Sequence, residues 1–105
     1  MKSQKTKGAV VLVSLEETKA FLRIDSSHED ALIISFIASA EDIVESVLRF
    51  PLSDFLADGG TLPELVKTTV WYVVSQFHEL RENVDVRKLA ETVSLLLTSY
   101  RRKEW

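Results

Sequence analysis

The stretch from Ser14 to Phe50 reads SLEETKAFLRIDSSHEDALIISFIASAEDIVESVLRF, and it decides the fold. Ser14 and Glu17 have the spacing of a capping box, which predicts a short helix that runs to about Leu22. A longer amphipathic helix is predicted from about Ser27 to Arg49, because apolar residues recur there at helical spacing. The residues of that apolar face are Ile33, Phe36, Ile37, Ala40, Ile43, Val44, Val47 and Leu48.

The corner Leu22-Arg23-Ile24-Asp25 separates these two helices. We expect its two apolar residues to point into the core, and its two charged residues to fix the turn or to contact a neighbouring molecule. After the corner, Ser26 with Glu29 and Ser27 with Asp30 are alternative capping boxes for the second helix. The corner is therefore predicted to be a structural elbow that positions the long helix.

Acidic side chains follow the side of the second helix opposite its apolar face, at Glu41, Asp42 and Glu45. We interpret them as a solvated face, because unpaired carboxylates are rarely buried. Ten acidic and three basic side chains fall between Ser14 and Gly60. An acidic segment of this kind does not bind DNA phosphates tightly, but it can lie beside DNA without holding it.

A break in the helical pattern follows the second helix. Pro51 ends that helix, and Asp58-Gly59-Gly60 indicates a turn, so the segment from Leu52 to Gly60 is predicted to be a loop. Its apolar side chains are expected to pack back onto the core. They are Leu52, Phe55 and Leu56.

A third helix is predicted after this loop. Thr61 and Glu64 have capping-box spacing, Pro63 lies in the first turn, and the helix runs to about Arg81. Its segment from Val70 to Val74 is apolar on all sides. Such a segment is typical of a helix that is either central or shared with a partner.

The whole pattern predicts an all-α protein, a small four-helix domain with one long central helix and a short first helix. Asp85 is predicted to cap the fourth helix, from about Val86 to Tyr100. We interpret residues 1–13 as a flexible N-terminal arm or tag-like segment, and residues 14–105 as a single domain. No apolar run reaches the roughly 18 to 20 residues that span a bilayer, so no membrane contact is expected.

The sequence offers no catalytic motif. His78-Glu79 begins like the zinc motif H-E-x-x-H, but Glu82 stands where the second histidine belongs. His28-Glu29-Asp30 could suggest a metal site, but Glu29 and Asp30 are already explained as residues of a helix start. Cysteine is absent, and the three glycines form no phosphate-binding loop. We therefore expect no enzyme activity, no cofactor and no metal site.

Aromatic and basic residues of the last two helices are the candidate contacts with other proteins, because these residue types are enriched at binding hot spots. Trp71 and Tyr72 can be core residues or interface anchors. The basic, aromatic end from Arg101 to Trp105 can be a solvated tail or a docking segment. The basic residues are expected to complement the acidic side of the second helix. The candidate interface residues are Trp71, Tyr72, Arg81, Arg87, Lys88, Tyr100, Arg101 and Arg102.

Short strings spread over the chain form a specific combination. They are Val13-Ser14-Leu15-Glu16-Glu17, Leu22-Arg23-Ile24-Asp25, Glu29-Asp30-Ala31-Leu32-Ile33, Leu62-Pro63-Glu64-Leu65-Val66-Lys67, Phe77-His78-Glu79-Leu80-Arg81-Glu82, and Leu95-Leu96 followed by Tyr100-Arg101. Together they resemble the head–tail connector proteins of long-tailed phages and prophages, also called head-completion or DNA-packaging adaptor proteins. His78 and Leu80 depart from the Tyr and Asn that the family often has there, and the link before the fourth helix is unusually short and charged.

This resemblance implies a structural subunit that forms a homo-oligomeric, dodecamer-like ring on the portal protein. The ring extends the DNA channel and lets DNA pass without sequence-specific binding. It joins the head to the next connector or tail-completion protein. The implied location is the virion head–tail junction, with assembly in the bacterial cytoplasm, and no cofactor follows from the resemblance.

A small helical regulatory or DNA-binding protein is the alternative. The two helices around Arg23-Ile24-Asp25 are faintly similar to a helix-turn-helix. The helix after the corner would read the bases, yet it begins with Ser27-His28-Glu29-Asp30, which is acidic where base-reading residues lie. Repulsion between these carboxylates and the phosphates argues against this alternative.

Overall fold

Four α-helices and three short 3₁₀ segments build residues 12–100, the part of the chain that our computed structural model describes. No strand occurs within that range. The α-helices are α1 (Leu15–Leu22), α2 (Asp30–Leu48), α3 (Glu64–Leu80) and α4 (Val86–Leu96), and the 3₁₀ segments are Leu52–Gly59, Arg81–Asn83 and Thr98–Tyr100. The predicted all-α domain with a short first helix and a long second one is confirmed.

The core lies between α2 and α3, and both α1 and α4 contact each of these two helices. Each fully buried aliphatic side chain contributes about 1.5–3 kcal/mol relative to an exposed one, so this cluster carries most of the hydrophobic stabilisation. The fully buried residues are Val13, Ile33, Ile37, Ala40, Val44, Leu48, Leu52, Val66, Val70, Val73, Val74, Val93 and Leu97.

The helix α1 has the boundaries that the sequence predicts. The Ser14 hydroxyl oxygen accepts a hydrogen bond of 3.1 Å from the Glu17 main-chain N–H. At the other end, Arg23 adopts a left-handed conformation with φ 62°. The N–H groups of Arg23 and Ile24 then donate to the carbonyls of Ala20 and Lys19, which satisfies the last turn.

The helix α2 begins three residues later than predicted, and neither predicted capping box forms. Glu29 occupies the capping position without a side-chain hydrogen bond to the helix. Its carboxylate binds His78 instead, and the Asp30 carboxylate binds Lys19 at 2.7 Å. Contacts with distant residues thus take the carboxylates that the local pattern assigns to the cap.

The segment after α2, predicted to be a loop, contains 3₁₀ structure that is interrupted at Ala57 and Asp58, where the backbone leaves the helical conformation. Leu52 is buried and its N–H donates to the Glu45 carboxylate at 2.8 Å, while Phe55 packs against the core. Leu56, by contrast, exposes 37% of its surface, so the expectation that it packs inward is wrong. A β-carbon on Gly60 would collide with the Phe55 carbonyl oxygen, so this turn needs glycine there.

The helix α3 begins at Glu64, and the predicted capping box at its start is absent. Pro63 occupies the capping position with ψ 146°, an extended conformation, and no side chain caps the helix. Pro63 therefore precedes the first turn instead of lying in it, which leaves Thr61 exposed and two residues before the capping position.

The helix α4 starts as predicted and ends early. The Asp85 carboxylate accepts from the Lys88 N–H at 3.1 Å, so the predicted cap is confirmed. The α-helix ends at Leu96, and a 3₁₀ turn replaces the predicted continuation to Tyr100. Leu96, the last residue of the helix, is 42% exposed, whereas Leu97 is fully buried.

Candidate interaction site

An aromatic surface lies where α1 crosses α3. The Trp71 ring stacks on Phe21 with 5.2 Å between the ring centroids. The Trp71 indole N–H donates to the Thr18 hydroxyl at 3.1 Å, and that hydroxyl donates to the Ser14 carbonyl at 2.7 Å. Phe21 nevertheless remains 46% exposed. The fold thus holds an aromatic pair rigidly and leaves one face of it uncovered.

Charged side chains frame this aromatic surface. Lys67 lies 3.7 Å from the Glu17 carboxylate, and its ammonium lies 6.0 Å from the centroid of the Trp71 ring. Exposed ion pairs of this kind contribute about 0–1 kcal/mol each. They orient the side chains more than they stabilise the fold.

A cleft of about 290 Å³ opens on the other side of α3, between that helix and α4. Tyr72, Gln76 and Leu80 line it from α3. Val84 and Leu89 add apolar surface, and polar side chains complete the lining. They are Asn83, Asp85, Lys88 and Thr92.

The two surfaces lie on nearly opposite sides of α3. Lys67, Trp71 and His78 make the contacts toward α1 and the start of α2, whereas Tyr72 and Gln76 line the cleft. At about 100° per residue, these two sets of side chains point roughly 140° apart around the helix axis. The buried valines of α3 lie between them. One helix therefore presents two unlike surfaces on two sides of the molecule.

The end of α3 is tied to the start of α2 by a three-residue cluster. The Glu29 carboxylate contacts the His78 ring nitrogen Nε2 and the Arg81 guanidinium, both at 3.1 Å. The hydrogen bond with His78 and then the one with Arg81 lower the pKa of Glu29 below its ordinary value. Arg81 itself has φ 54° and ψ −119°, a conformation that favours glycine.

Glu41 is buried, which corrects its assignment to a solvated acidic face. Its side-chain oxygen Oε2 accepts from the N–H groups of Leu12 at 2.8 Å and Val13 at 2.9 Å. Burial raises the pKa of Glu41, and these two hydrogen bonds oppose that rise. The Glu45 carboxylate is half-buried and accepts the main-chain hydrogen bond from Leu52, whereas Asp42 is exposed.

The geometry of residues 12–100 offers surfaces for contact with other proteins. No group of three His, Cys, Asp or Glu side chains within that range is placed to hold a metal ion. Over the same residues, no helix is both long enough and apolar enough to cross a membrane.

Comparison with protein families decides between the structural and the regulatory interpretations. Residues 12–101 match the family of phage gp6-like head–tail connector proteins. The chain belongs to that family. Searches of curated proteins and of solved structures return no match. Head–tail connectors are structural phage proteins that assemble with other head and tail proteins, which places this chain's function at the head–tail junction.

The connector's fold distributes the predicted interface residues among separate places. Trp71 packs against α1, whereas Tyr72 and Lys88 meet in the α3–α4 cleft. Arg81 is paired with Glu29 inside the chain. The neighbours Trp71 and Tyr72 therefore serve two different surfaces of the connector.

Two further predicted contacts, Arg87 and Tyr100, lie near the two ends of α4. Arg87 is exposed in its first turn. Tyr100 packs edge-to-face on Phe55, with 5.8 Å between the ring centroids. Arg101 and Arg102 lie outside the described residues.

The apolar and charged residues of the elbow differ in burial. Leu22 and Ile24 pack against the core, while Arg23 and Asp25 are exposed. Phe21, immediately before the elbow, belongs to the aromatic surface but is absent from the predicted interface, because its helical spacing indicates a core position. Helical spacing alone does not separate a core position from an exposed one at the edge of the apolar face.

Proposed function

We propose that this connector forms a head-to-tail ring of identical subunits on the portal protein and that DNA passes through the ring. Membership in the head–tail connector family supports a position at the head–tail junction. The observation that supports the ring is the pair of unlike, partly apolar surfaces on opposite sides of α3, one carrying Phe21 and the other the cleft.

A ring requires two different surfaces on each subunit. When one patch binds a copy of itself, the contact closes as a two-fold dimer, whereas contact between unlike patches continues around a ring. Large apolar side chains remain exposed in this subunit, among them Phe21 at 46% and Leu80 at 43%. Contact with the next copy would remove this apolar surface from water.

The charge distribution suits a passage for DNA. Acidic side chains outnumber basic ones between residues 12 and 100, so DNA phosphates gain little by binding to this part of the subunit. DNA would pass without sequence-specific contacts. At the start of α2, Lys19 pairs with Asp30 and Arg81 pairs with Glu29, so these two basic side chains are already engaged within the chain.

The ring would join the portal protein on one side to the next connector or tail-completion protein on the other. We propose a dodecamer-like ring, located at the head–tail junction of the virion and assembled in the bacterial cytoplasm. No cofactor is required, because each step is an association of proteins.

Mass measurement in solution tests this function. Native mass spectrometry and sedimentation would be carried out on the full chain alone, at several concentrations, and on its mixture with the portal protein. We expect a closed oligomer in at least the mixture, seen as a ring by electron microscopy. A chain that stays monomeric at high concentration and also with the portal would refute the proposal.

A further inference from the structure

We infer that the elbow of one subunit, through Phe21 and Arg23, docks into the α3–α4 cleft of the next copy. This inference rests on the proposed ring and names the two surfaces that join its subunits. It uses the exposed Phe21 and Arg23 on one side of α3 and the recessed cleft on the other.

Phe21 is a preorganised anchor. It stacks on Trp71, which the hydrogen bond to Thr18 holds in place. Its exposed ring would therefore lose little conformational freedom on binding. Rigid aromatic side chains of this kind are typical anchors at protein interfaces.

Arg23 is available for an intermolecular contact. Its φ of 62° is a left-handed conformation that glycine adopts without steric cost. Its side chain is exposed and has no ion pair or hydrogen bond with any residue in the described part of the chain. Arg81, also at a helix end with positive φ, differs because its guanidinium binds Glu29. Within the described part of the chain, the Arg23 guanidinium therefore makes no polar contact that would stabilise the fold.

The cleft is suited to an aromatic side chain. Its volume of about 290 Å³ is enough for one large side chain, and Tyr72, Leu80 and Val84 supply apolar walls. Leu80 is 43% exposed, so its packing is incomplete within the subunit. Insertion of Phe21 from a neighbour would cover it.

Charges near the cleft complement those of the elbow. Glu79 and Glu82 are exposed beside the lining residues Leu80 and Asn83, and neither carboxylate has a partner among the described residues. A carboxylate pairs strongly with a guanidinium, often through two parallel hydrogen bonds, so these acids suit Arg23. The exposed Asp25 of the elbow has Lys88 available at the opposite rim of the cleft.

Engineered disulfides test the contact directly, because the natural chain contains no cysteine. A variant with both Arg23→Cys and Glu82→Cys, oxidised after assembly with the portal, should give a ladder of covalent multimers. Either single variant should give no ladder. The matched control combines Arg49→Cys with Glu82→Cys, since Arg49 is likewise an exposed helix-end arginine with positive φ, but at the end of α2.

Charge reversal provides a second, independent measurement. Arg23→Glu should raise the concentration needed for assembly by about tenfold or more, the usual order for loss of a paired interface charge. Arg49→Glu should leave it unchanged, and Glu79→Arg with Glu82→Arg should restore assembly of Arg23→Glu. Circular dichroism should show equal helix content in all of these variants.

The outcomes separate this contact from the ring itself. If wild type forms a ring, Arg23→Glu assembles as well as wild type and the double cysteine variant gives no ladder, this contact is overturned while the ring is retained. An Arg23→Glu variant that assembles alone but no longer binds the portal would assign the elbow to the portal instead, and would also overturn it. A wild-type chain that is monomeric even with the portal would refute both.

Discussion

The Glu41 carboxylate holds the main chain of Val13 through a hydrogen bond of 2.9 Å, although 28 positions separate the two residues. The same oxygen accepts from the Leu12 N–H, and the Val13 side chain is itself buried. A carboxylate in the middle of α2 therefore fixes the segment that enters α1.

Removing the acceptor at position 41 should destabilise the protein, whereas removing only its charge should not. Glu41→Ala leaves two main-chain N–H groups without a partner, and we expect a loss of about 2–3 kcal/mol in the free energy of unfolding. Glu41→Gln retains a carbonyl acceptor and should lie within about 1 kcal/mol of wild type. Urea denaturation measures both, with the exposed Asp42→Asn as control. Equal losses for Ala and Gln would contradict this account.

The dependence of stability on pH should carry the signature of Glu41. Its pKa is raised in the folded state, mainly by burial, above the ordinary value of 4.5. The folded protein therefore binds this proton more tightly than the unfolded chain does. The stabilisation is complete below pH 4.5 and is lost as the pH rises through the raised pKa.

The comparison of wild type with Glu41→Gln isolates this titration from all others. The free energy of unfolding of wild type minus that of Glu41→Gln should fall as the pH rises from below 4.5 toward neutrality. Denaturant unfolding at closely spaced pH values measures this difference. A difference that is flat, or that increases with pH, would show that the carboxyl group is not desolvated.

The sequence predicts the helices of this connector far better than their contacts. Helical periodicity locates all of the α-helices in residues 12–100. The caps at Ser14 and Asp85 form because each side chain binds a main-chain N–H three positions later and has no ion pair with a distant residue in that range. The caps expected from Glu29 and Asp30 fail because both carboxylates bind side chains outside the second helix. A local pattern cannot show that a more distant partner competes for the same group.

In the candidate site, too, local helix geometry is predictable from the sequence and long-range contacts are not. The partners of Glu41 are main-chain N–H groups, which leave no trace in residue type, so its burial has no sequence signal. The separation of Trp71 from Tyr72 is foreseeable, since adjacent helical residues point about 100° apart. Which of them faces α1 and which faces the cleft depends on helix packing that the sequence pattern does not specify.

The hydrogen bond between Trp71 and Thr18 should be measurable as a coupling energy. Trp71→Phe retains an aromatic ring against Phe21 but loses the N–H donor, and Thr18→Val loses the acceptor at nearly constant volume. A net hydrogen bond contributes about 0.5–1.5 kcal/mol, so the double variant should lose less than the sum of the single ones by that amount. Thermal and urea unfolding of the four proteins measure the cycle. Additive losses would mean that this hydrogen bond does not stabilise the fold.

Glycine at two helix ends should have opposite consequences for stability. Arg49 has φ 71° and no side-chain partner among residues 12–100, so Arg49→Gly relieves the left-handed conformation and should raise the free energy of unfolding by up to about 1 kcal/mol. Arg81→Gly relieves a comparable strain but removes the guanidinium from Glu29.

The difference between these two variants therefore reports what the Glu29 cluster contributes. Arg81→Gly should be less stable than Arg49→Gly at pH 7, and the gap should close on acidification. The reason is that Glu29 has a lowered pKa, so the stabilisation that its ionised form provides is present above pH 4.5 and is lost as the pH falls through that lowered pKa. Chemical denaturation of both variants at pH 7 and at acidic pH measures the gap. If Arg81→Gly proves the more stable variant at pH 7, the Arg81–Glu29 pair does not stabilise the fold.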